Sequence, residues 1–189
     1  MFLALVAYLD FEIHQVDIVA AYLQGDLDKE IYMIIPDSIS QFGSEGQYWQ
    51  LYKVLYDLKQ AGQQWKKRLH EVFTKLGLTY VFANDCLYIK KKKGKIVLII
   101  LVYVDNIAIT ASENMHITSF KMVLHNNFDI TNLRKLKFML RILVTCDHAN
   151  QLIFLSQSAY IYQVLTHFGI QDAIPVSTPL GVKHNLSIS

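Results

Sequence analysis

Nine consecutive apolar residues, Ile96 to Val104, give way to Asp105-Asn106, and the apolar run resumes with Ile107-Ala108-Ile109. Two such runs around a short polar break predict a hairpin of buried strands. Upstream, Cys86 to Ile89 reads as a partner strand, joined to the long run by a turn over Lys90 to Lys95. From Gln64 to Leu78 the period changes. Trp65, Leu69, Val72, Phe73 and Leu76 follow at offsets of 4, 3, 1 and 3, one apolar face of a helix that Gly77 stops. Ser112-Glu113 starts a second helix with Ile117, Phe120, Leu124 and Phe128 turned inward. Short strands are expected around Phe138 to Thr145 and Gln151 to Leu155, then a helix over Ser158 to Phe168 that ends at Gly169. Val16 to Tyr22 is a β-branched run that turns helical or looped towards Gly25-Asp26, and Pro36 to Gly46 reads as a loop. Hairpins with separate helices predict an α+β fold rather than alternating parallel units.

Composition narrows the function classes. The chain has 189 residues, 52% apolar and 18% charged, which excludes disorder and allows one domain with a sizeable core. A net charge of +2 is too small to announce a nucleic-acid binder by itself. Cys86 and Cys146 form neither a disulfide framework nor a zinc spacing, and the seven histidines show no metal-ligand pattern. The longest apolar stretch meets Asp105 well short of the ~20 residues a bilayer needs, so no membrane partner is expected. Met1 to Leu9 has no basic leader and no small-residue cleavage site after it, and reads as a core helix opened by truncation. The expected location is intracellular, cytoplasmic or nuclear, and not secreted. No phosphate-binding Gly-x-x-x-x-Gly-Lys loop or serine elbow is present.

Four segments carry candidate chemistry, each beside a plainer reading. Asp105-Asn106 makes an ordinary hairpin turn, since both residues tolerate positive φ. Asp17, inside Val16 to Tyr22, is either an exposed strand end or a carboxylate among apolar neighbours that needs a cation. Brought together, the two carboxylates have the oxygen chemistry of a two-metal phosphoryl-transfer site. Leu55 to Trp65 is at least the entry to a helix. The Lys90 to Lys95 run is a solvated hairpin tip or a phosphate-contacting patch.

In this order, the segments resemble the reverse transcriptase of copia-type LTR retrotransposons. EIHQVDIVAAYLQGDLDKEIYM (Glu12 to Met33) is similar to that family's first catalytic block, and LYDLKQAGQQW to its nucleotide-pocket block. YVDN stands where the family has Tyr-Val-Asp-Asp, and LSQSAYIYQVLTHFGI with Pro-Val-Ser-Thr-Pro looks like the segment leading out of the polymerase. The resemblance implies a reverse-transcriptase-like palm of antiparallel sheet with flanking helices, partial fingers and the start of a thumb. Residues 1–110 would be palm with partial fingers, 111–155 palm and primer grip, and 156–189 thumb or connection. Asp17 and Asp105 match the family's metal-binding aspartates, for Mg²⁺ or alternatively Mn²⁺. Asn106 takes the remaining catalytic position. Tyr22 matches the aromatic that blocks a ribose 2′-hydroxyl. Lys59 and Gln60 fall in the nucleotide pocket, and Tyr103 against the template–primer end. Phe138, Met139, Leu140 and Arg141 occupy the place of the primer-grip turn. The implied partners are an RNA or DNA template with primer, deoxynucleoside triphosphates, and the rest of a polyprotein with integrase and RNase H.

This copy departs from the family pattern. Asn106 replaces an aspartate, Gln63 an arginine and Gly62 a proline, while Asp57, Arg134 and Arg141 stand where glycine is usual. An amide at Asn106 keeps a carbonyl oxygen for a metal but loses the negative charge, on the order of 10² to 10⁴ in rate. A side chain on a left-handed glycine position costs about 1–2 kcal/mol. The chain also starts just before the first block and stops before any RNase H region, so most of the fingers is expected to be missing. Five of these changes (at Asp57, Gln63, Asn106, Arg134 and Arg141) can each arise from a single G-to-A change in a codon, as in a copy decaying by cytosine deamination. Codons there that require other base changes would overturn that history. The expectation is therefore a weakened or inactive polymerase. The alternative is a retained nucleic-acid-binding module without synthesis.

Overall fold

The computed structural model describes residues 2–36, 48–82 and 84–175. The expected loop at Pro36 to Gly46 therefore lies almost wholly outside the described residues, as does most of the Pro175 to Pro179 segment.

A six-stranded antiparallel sheet forms the centre. Its strands are β1 (Ile13–Ile18), β4 (Thr79–Val81), β5 (Asn84–Lys92), β6 (Lys95–Tyr103), β7 (Asn106–Ala111) and β8 (Ile130–Lys135), in the order β4-β5-β6-β7-β1-β8. Two small antiparallel sheets accompany it. One joins β2 (Tyr32–Ile34) to β3 (Tyr48–Gln50), and the other joins β9 (Phe138–Met139), β10 (Ile142–Asp147) and β11 (Leu152–Ser156). Among the described residues there are four α-helices: α1 (Phe2–Leu9), α2 (Ala61–Lys75), α3 (Asn114–Asn127) and α4 (Ser158–His167). The fold is α+β with antiparallel sheets, as the patterning predicts.

Strand alternation divides the core into two layers. Val16, Ile18, Leu98, Ile100, Ile107 and Ile109 face α2 and α3, where Trp65, Leu69, Phe73, Ile117, Phe120 and Leu124 meet them. Ile13, Ile99, Ala108 and Leu87 point to the other side, against Phe2 and Val6 of α1 and Leu136 and Val144. The central strands are apolar on both faces because both are covered, which is why Ile96 to Val104 shows no alternation. Each fully buried isoleucine contributes roughly 1.5–3 kcal/mol. The first helix is thus a core element, as Met1 to Leu9 suggested.

The differences from expectation have local causes. Helix α2 starts at Ala61, three residues before Gln64, because its first turn is small and polar and carries no apolar period. The lysine turn is tighter than Lys90 to Lys95: β5 runs to Lys92 and β6 starts at Lys95, with Lys93 and Gly94 at φ 51° and 78°. The short strands expected around Phe138 to Thr145 form a hairpin that turns at Leu140 and Arg141 (φ 52° and 64°), within the segment where the resemblance implies a turn. The central turn falls on Val104-Asp105, and Asn106 already belongs to β7, opposite Tyr103. Strand β8 was not foreseen. It is an edge strand of mostly exposed residues, so it has no buried face to write a pattern.

Candidate functional site

The β6–β7 turn is shaped by backbone strain and by contacts from outside the hairpin. Val104 has φ 56°, unusual for a β-branched residue. The indole Nε1 of Trp65, at the start of α2, donates to the Val104 carbonyl at 2.7 Å. From the other side, the Ile18 amide donates to the Asp105 carbonyl at 2.9 Å. Strand β1 pairs with β7 so that Asp17 lies directly opposite Asn106. The two aspartates, far apart in the chain, therefore meet at one end of the sheet. Burial pushes the Asp17 carboxyl above its ordinary range, and the charge of Asp105 pushes the same way.

Asn106 is held in a chain of amides. Gln15 Nε2 donates to Asn106 Oδ1 at 2.8 Å, and Asn106 Nδ2 donates to Asp105 Oδ1 at 3.0 Å. The direction of both bonds follows from chemistry, because an ionised carboxylate only accepts. The atom of Asn106 that faces Asp105 must be the NH₂, so its carbonyl faces Gln15, which must then offer its own NH₂. In this arrangement the Asn106 carbonyl accepts one bond from Gln15 and keeps a second lone pair, while one Asp105 oxygen accepts from the amide N–H. Gln15 is 6% exposed, which leaves little room to rearrange.

Around this centre, Tyr22 sits in a short 3₁₀ turn, Ala21–Gln24, with its ring edge-on to Tyr56 at 4.7 Å. The Tyr56 hydroxyl is pushed up by burial and by the charges of Asp105 and Asp17, so it borders the acidic pair. A Cβ on Gly25 would lie 3.2 Å from the Trp65 nitrogen and 3.3 Å from the Gln64 carbonyl carbon. Glycine there lets the Tyr22 turn sit against the first turns of α2. Tyr103 ends β6, is half exposed, and lines a cavity of about 680 Å³ with Met139 and Leu140. Phe138 and Arg141 complete that hairpin, and Arg141 stacks over Tyr160 at 4.8 Å. Lys59 and Gln60 lie at the entry to α2, and neither is hydrogen-bonded or ion-paired to the acidic pair. Lys91 to Lys95 are exposed at the opposite end of β6, about 26 Å away along the strand.

Sequence reasoning missed Gln15, Trp65 in its bonding role, and Tyr56. Gln15 had a readable signal, since it stands two residues before Asp17 and shares its face of β1. Asp57, Arg134 and Arg141 have φ of 67°, 60° and 64°, left-handed conformations at the three positions where glycine was expected.

The donor set suits a hard divalent cation: two carboxylates side by side, one of them pushed upward by burial and by the other's charge. Among the described residues no group of three or more His, Cys, Asp or Glu side chains converges, so the protein's share would be these two. Among them, no helix is long and apolar enough to cross a membrane.

A family model described as reverse transcriptase (RNA-dependent DNA polymerase) matches residues 1–182. The chain is 34% identical over 185 residues to the Retrovirus-related Pol polyprotein from transposon TNT 1-94 of Nicotiana tabacum, covering 98% of this chain and 14% of that protein. It is 29% identical over 176 residues to the Retrovirus-related Pol polyprotein from transposon RE1 of Arabidopsis thaliana, and 28% over 176 residues to that from transposon RE2. Each of these two alignments covers 93% of this chain and 12% of the relative, so the chain spans only about an eighth of their length. No solved structure matches it. The chain belongs to the reverse transcriptase (RNA-dependent DNA polymerase) family, in the form carried by the Pol polyproteins of copia-type transposons.

Proposed function

We propose that this chain is the palm of a copia-type RNA-directed DNA polymerase, with partial fingers, the start of a thumb, and catalysis weakened by Asn106. The division is palm with partial fingers over 1–110, palm and primer grip over 111–155, and thumb or connection over 156–189. The observation that carries the reading is the convergence of Asp17 and Asp105 at one sheet end, joined through the Ile18–Asp105 backbone bond. These two carboxylates would hold Mg²⁺, with Mn²⁺ as a substitute. Such ions would supply charge neutralisation for a triphosphate and would acidify a primer 3′-hydroxyl, the chemistry that attack on an α-phosphate with release of pyrophosphate requires.

The chain's own residues position the reactants. Tyr22, held edge-on by Tyr56, is the wall that a ribose 2′-hydroxyl would strike. Lys59 and Gln60 flank the incoming nucleotide from the entry of α2. Tyr103 supports the template–primer end, and the Phe138 to Arg141 hairpin grips the primer strand. Asn106 caps one oxygen of Asp105 with an N–H, which lowers the pair's affinity for cations. In an intact polyprotein this region would work beside an integrase and an RNase H, within the cell.

Primer extension on poly(rA)/oligo(dT) with Mg²⁺ or Mn²⁺ tests the proposal. Incorporation that Asp105→Ala abolishes supports it. The Asn106–Asp105 bond favours a second reading, a binding remnant without synthesis. Salt-sensitive template binding with no incorporation, even after Asn106→Asp, would establish that reading instead.

A further inference from the structure

The helix-covered side of the sheet carries a second polar site, away from the aspartates. Thr118, Lys121, Met122 and His125 form one stripe of α3 at helical spacing, while on β8 Asn132 lies opposite Val16 and Arg134 follows a bulge at φ 60°. With His14 of β1 they line a cavity of about 480 Å³. His14 lies on the face of β1 that bears Val16 and Ile18, opposite to Asp17. The cavity is therefore separate from the proposed polymerase site.

The charge in this cavity is unbalanced. Lys121 Nζ donates to His14 Nδ1 at 3.1 Å and to Asn132 Oδ1 at 2.7 Å. That fixes the His14 proton on Nε2, which approaches Glu12 at 3.5 Å. Glu12 is itself paired with Lys135. Lys121 thus spends two of its three N–H groups on neutral acceptors and has no carboxylate within 4.0 Å among the described residues. Burial depresses both Lys121 and His14 below their ordinary values, and the charge of Lys121 lowers His14 further. No Asp or Glu lines the cavity, whereas Arg134 and His125 do. A half-buried ammonium without a counter-ion is costly, and an oxyanion would complete it.

We propose that the His14–Lys121–Arg134 cavity is a phosphate-binding site, taking a phosphoryl oxyanion from a free phosphate or nucleotide, or from the backbone of a nucleic-acid strand. The third N–H of Lys121 and the Arg134 guanidinium supply the contacts. Arg134 stands where the family usually has glycine, so the site belongs to this chain rather than to the family pattern.

The test uses the full chain and measures protection against thermal unfolding by inorganic phosphate, and anisotropy of a labelled single-stranded oligonucleotide. Lys121→Met and Arg134→Gly should each weaken phosphate protection at least tenfold, while Lys92→Gln at the hairpin tip leaves it unchanged. Arg134→Gly keeps the control honest, because glycine suits the left-handed backbone there (φ 60°) and will not unfold the chain. Competition between phosphate and oligonucleotide assigns the site to a strand backbone; phosphate binding without competition assigns it to a free anion. If phosphate does not protect the unaltered chain and the oligonucleotide binds equally to both variants, the proposal is overturned. Equal phosphate protection in the unaltered chain and both variants overturns it as well.

Discussion

Replacing Asn106 with aspartate should cost stability in the absence of a divalent ion and recover most of it when one binds. In the metal-free protein the change removes the Asn106 Nδ2 to Asp105 Oδ1 bond, a charge-assisted contact of about 1.5–3 kcal/mol. It also sets a carboxylate against Asp105, beside Asp17, which already resists ionisation. Two like charges 4 Å apart at an effective dielectric of 20 repel by about 4 kcal/mol, and proton uptake limits what is paid. Asn106→Asp should therefore lower stability in EDTA by about 2–4 kcal/mol, a large part of a typical 5–15 kcal/mol. The Gln15 bond survives, because a carboxylate accepts from Nε2 as well as a carbonyl does. With Mg²⁺ most of that deficit closes. Three carboxylates then face the ion, and a hundredfold excess over its dissociation constant adds about 2.7 kcal/mol. Urea unfolding of both proteins in EDTA and in Mg²⁺ measures all four values. Equal stability in EDTA, or an equal Mg²⁺ response, would refute the amide orientation deduced here. Primer extension on the same pair decides whether the missing carboxylate is the limiting defect.

Other outcomes follow from the same geometry. Asp57→Gly and Arg134→Gly relieve left-handed backbone and should each stabilise by about 0.5–1 kcal/mol in urea. Arg141→Gly should gain less, since it also gives up the stack on Tyr160. Trp65→Phe keeps the ring but loses the bond to the Val104 carbonyl, and should cost about 1–2 kcal/mol. A loss below half a kcal/mol in the unfolding midpoint would mean the turn does not depend on that bond. Asp17 gives a pH signature. Its folded value is raised, so its stabilising contribution in EDTA is full below the unfolded value and fades as pH rises through the folded one. Mg²⁺ stabilisation runs the other way, shrinking as pH falls towards the raised Asp17 value, and Asp17→Asn should flatten both trends in unfolding midpoints taken from about pH 4 to 7.

The parts of the fold legible in the sequence are those where burial writes a pattern. Trp65, Leu69 and Phe73, like Ile117, Phe120 and Leu124, repeat at helical spacing because one face alone meets the sheet. Strand β8 is held by backbone pairing to β1, and its exposed Thr131, Asn132 and Lys135 carry no imprint of that pairing. The hairpin of Tyr32–Ile34 with Tyr48–Gln50 escaped for the same reason, being mostly exposed. The turn at Leu140-Arg141 is implied by the resemblance alone, because neither residue is one that turns ordinarily favour.

The candidate site was legible in its charges and illegible in its hydrogen bonds. Asp17 and Asp105 stand out because carboxylates interrupt apolar strands, whereas no spacing rule says which end of the Asn106 amide turns towards Asp105. That depends on Gln15, brought across by the β1–β7 register. Trp65 shows how far the dependence reaches. A β-branched residue at positive φ stores about 1–3 kcal/mol, and it persists only where the surroundings over-determine it. Here the indole bond from α2 and the amide bond from β1 hold the two carbonyls of Val104-Asp105 from opposite sides. Trp65 is itself packed edge-on against Phe128 at 5.3 Å, deep in the helix-side core. The aim of the Asp105 carboxylate is therefore set by core packing, and a mutation that loosens α2 should disturb the acidic pair before it unfolds the chain.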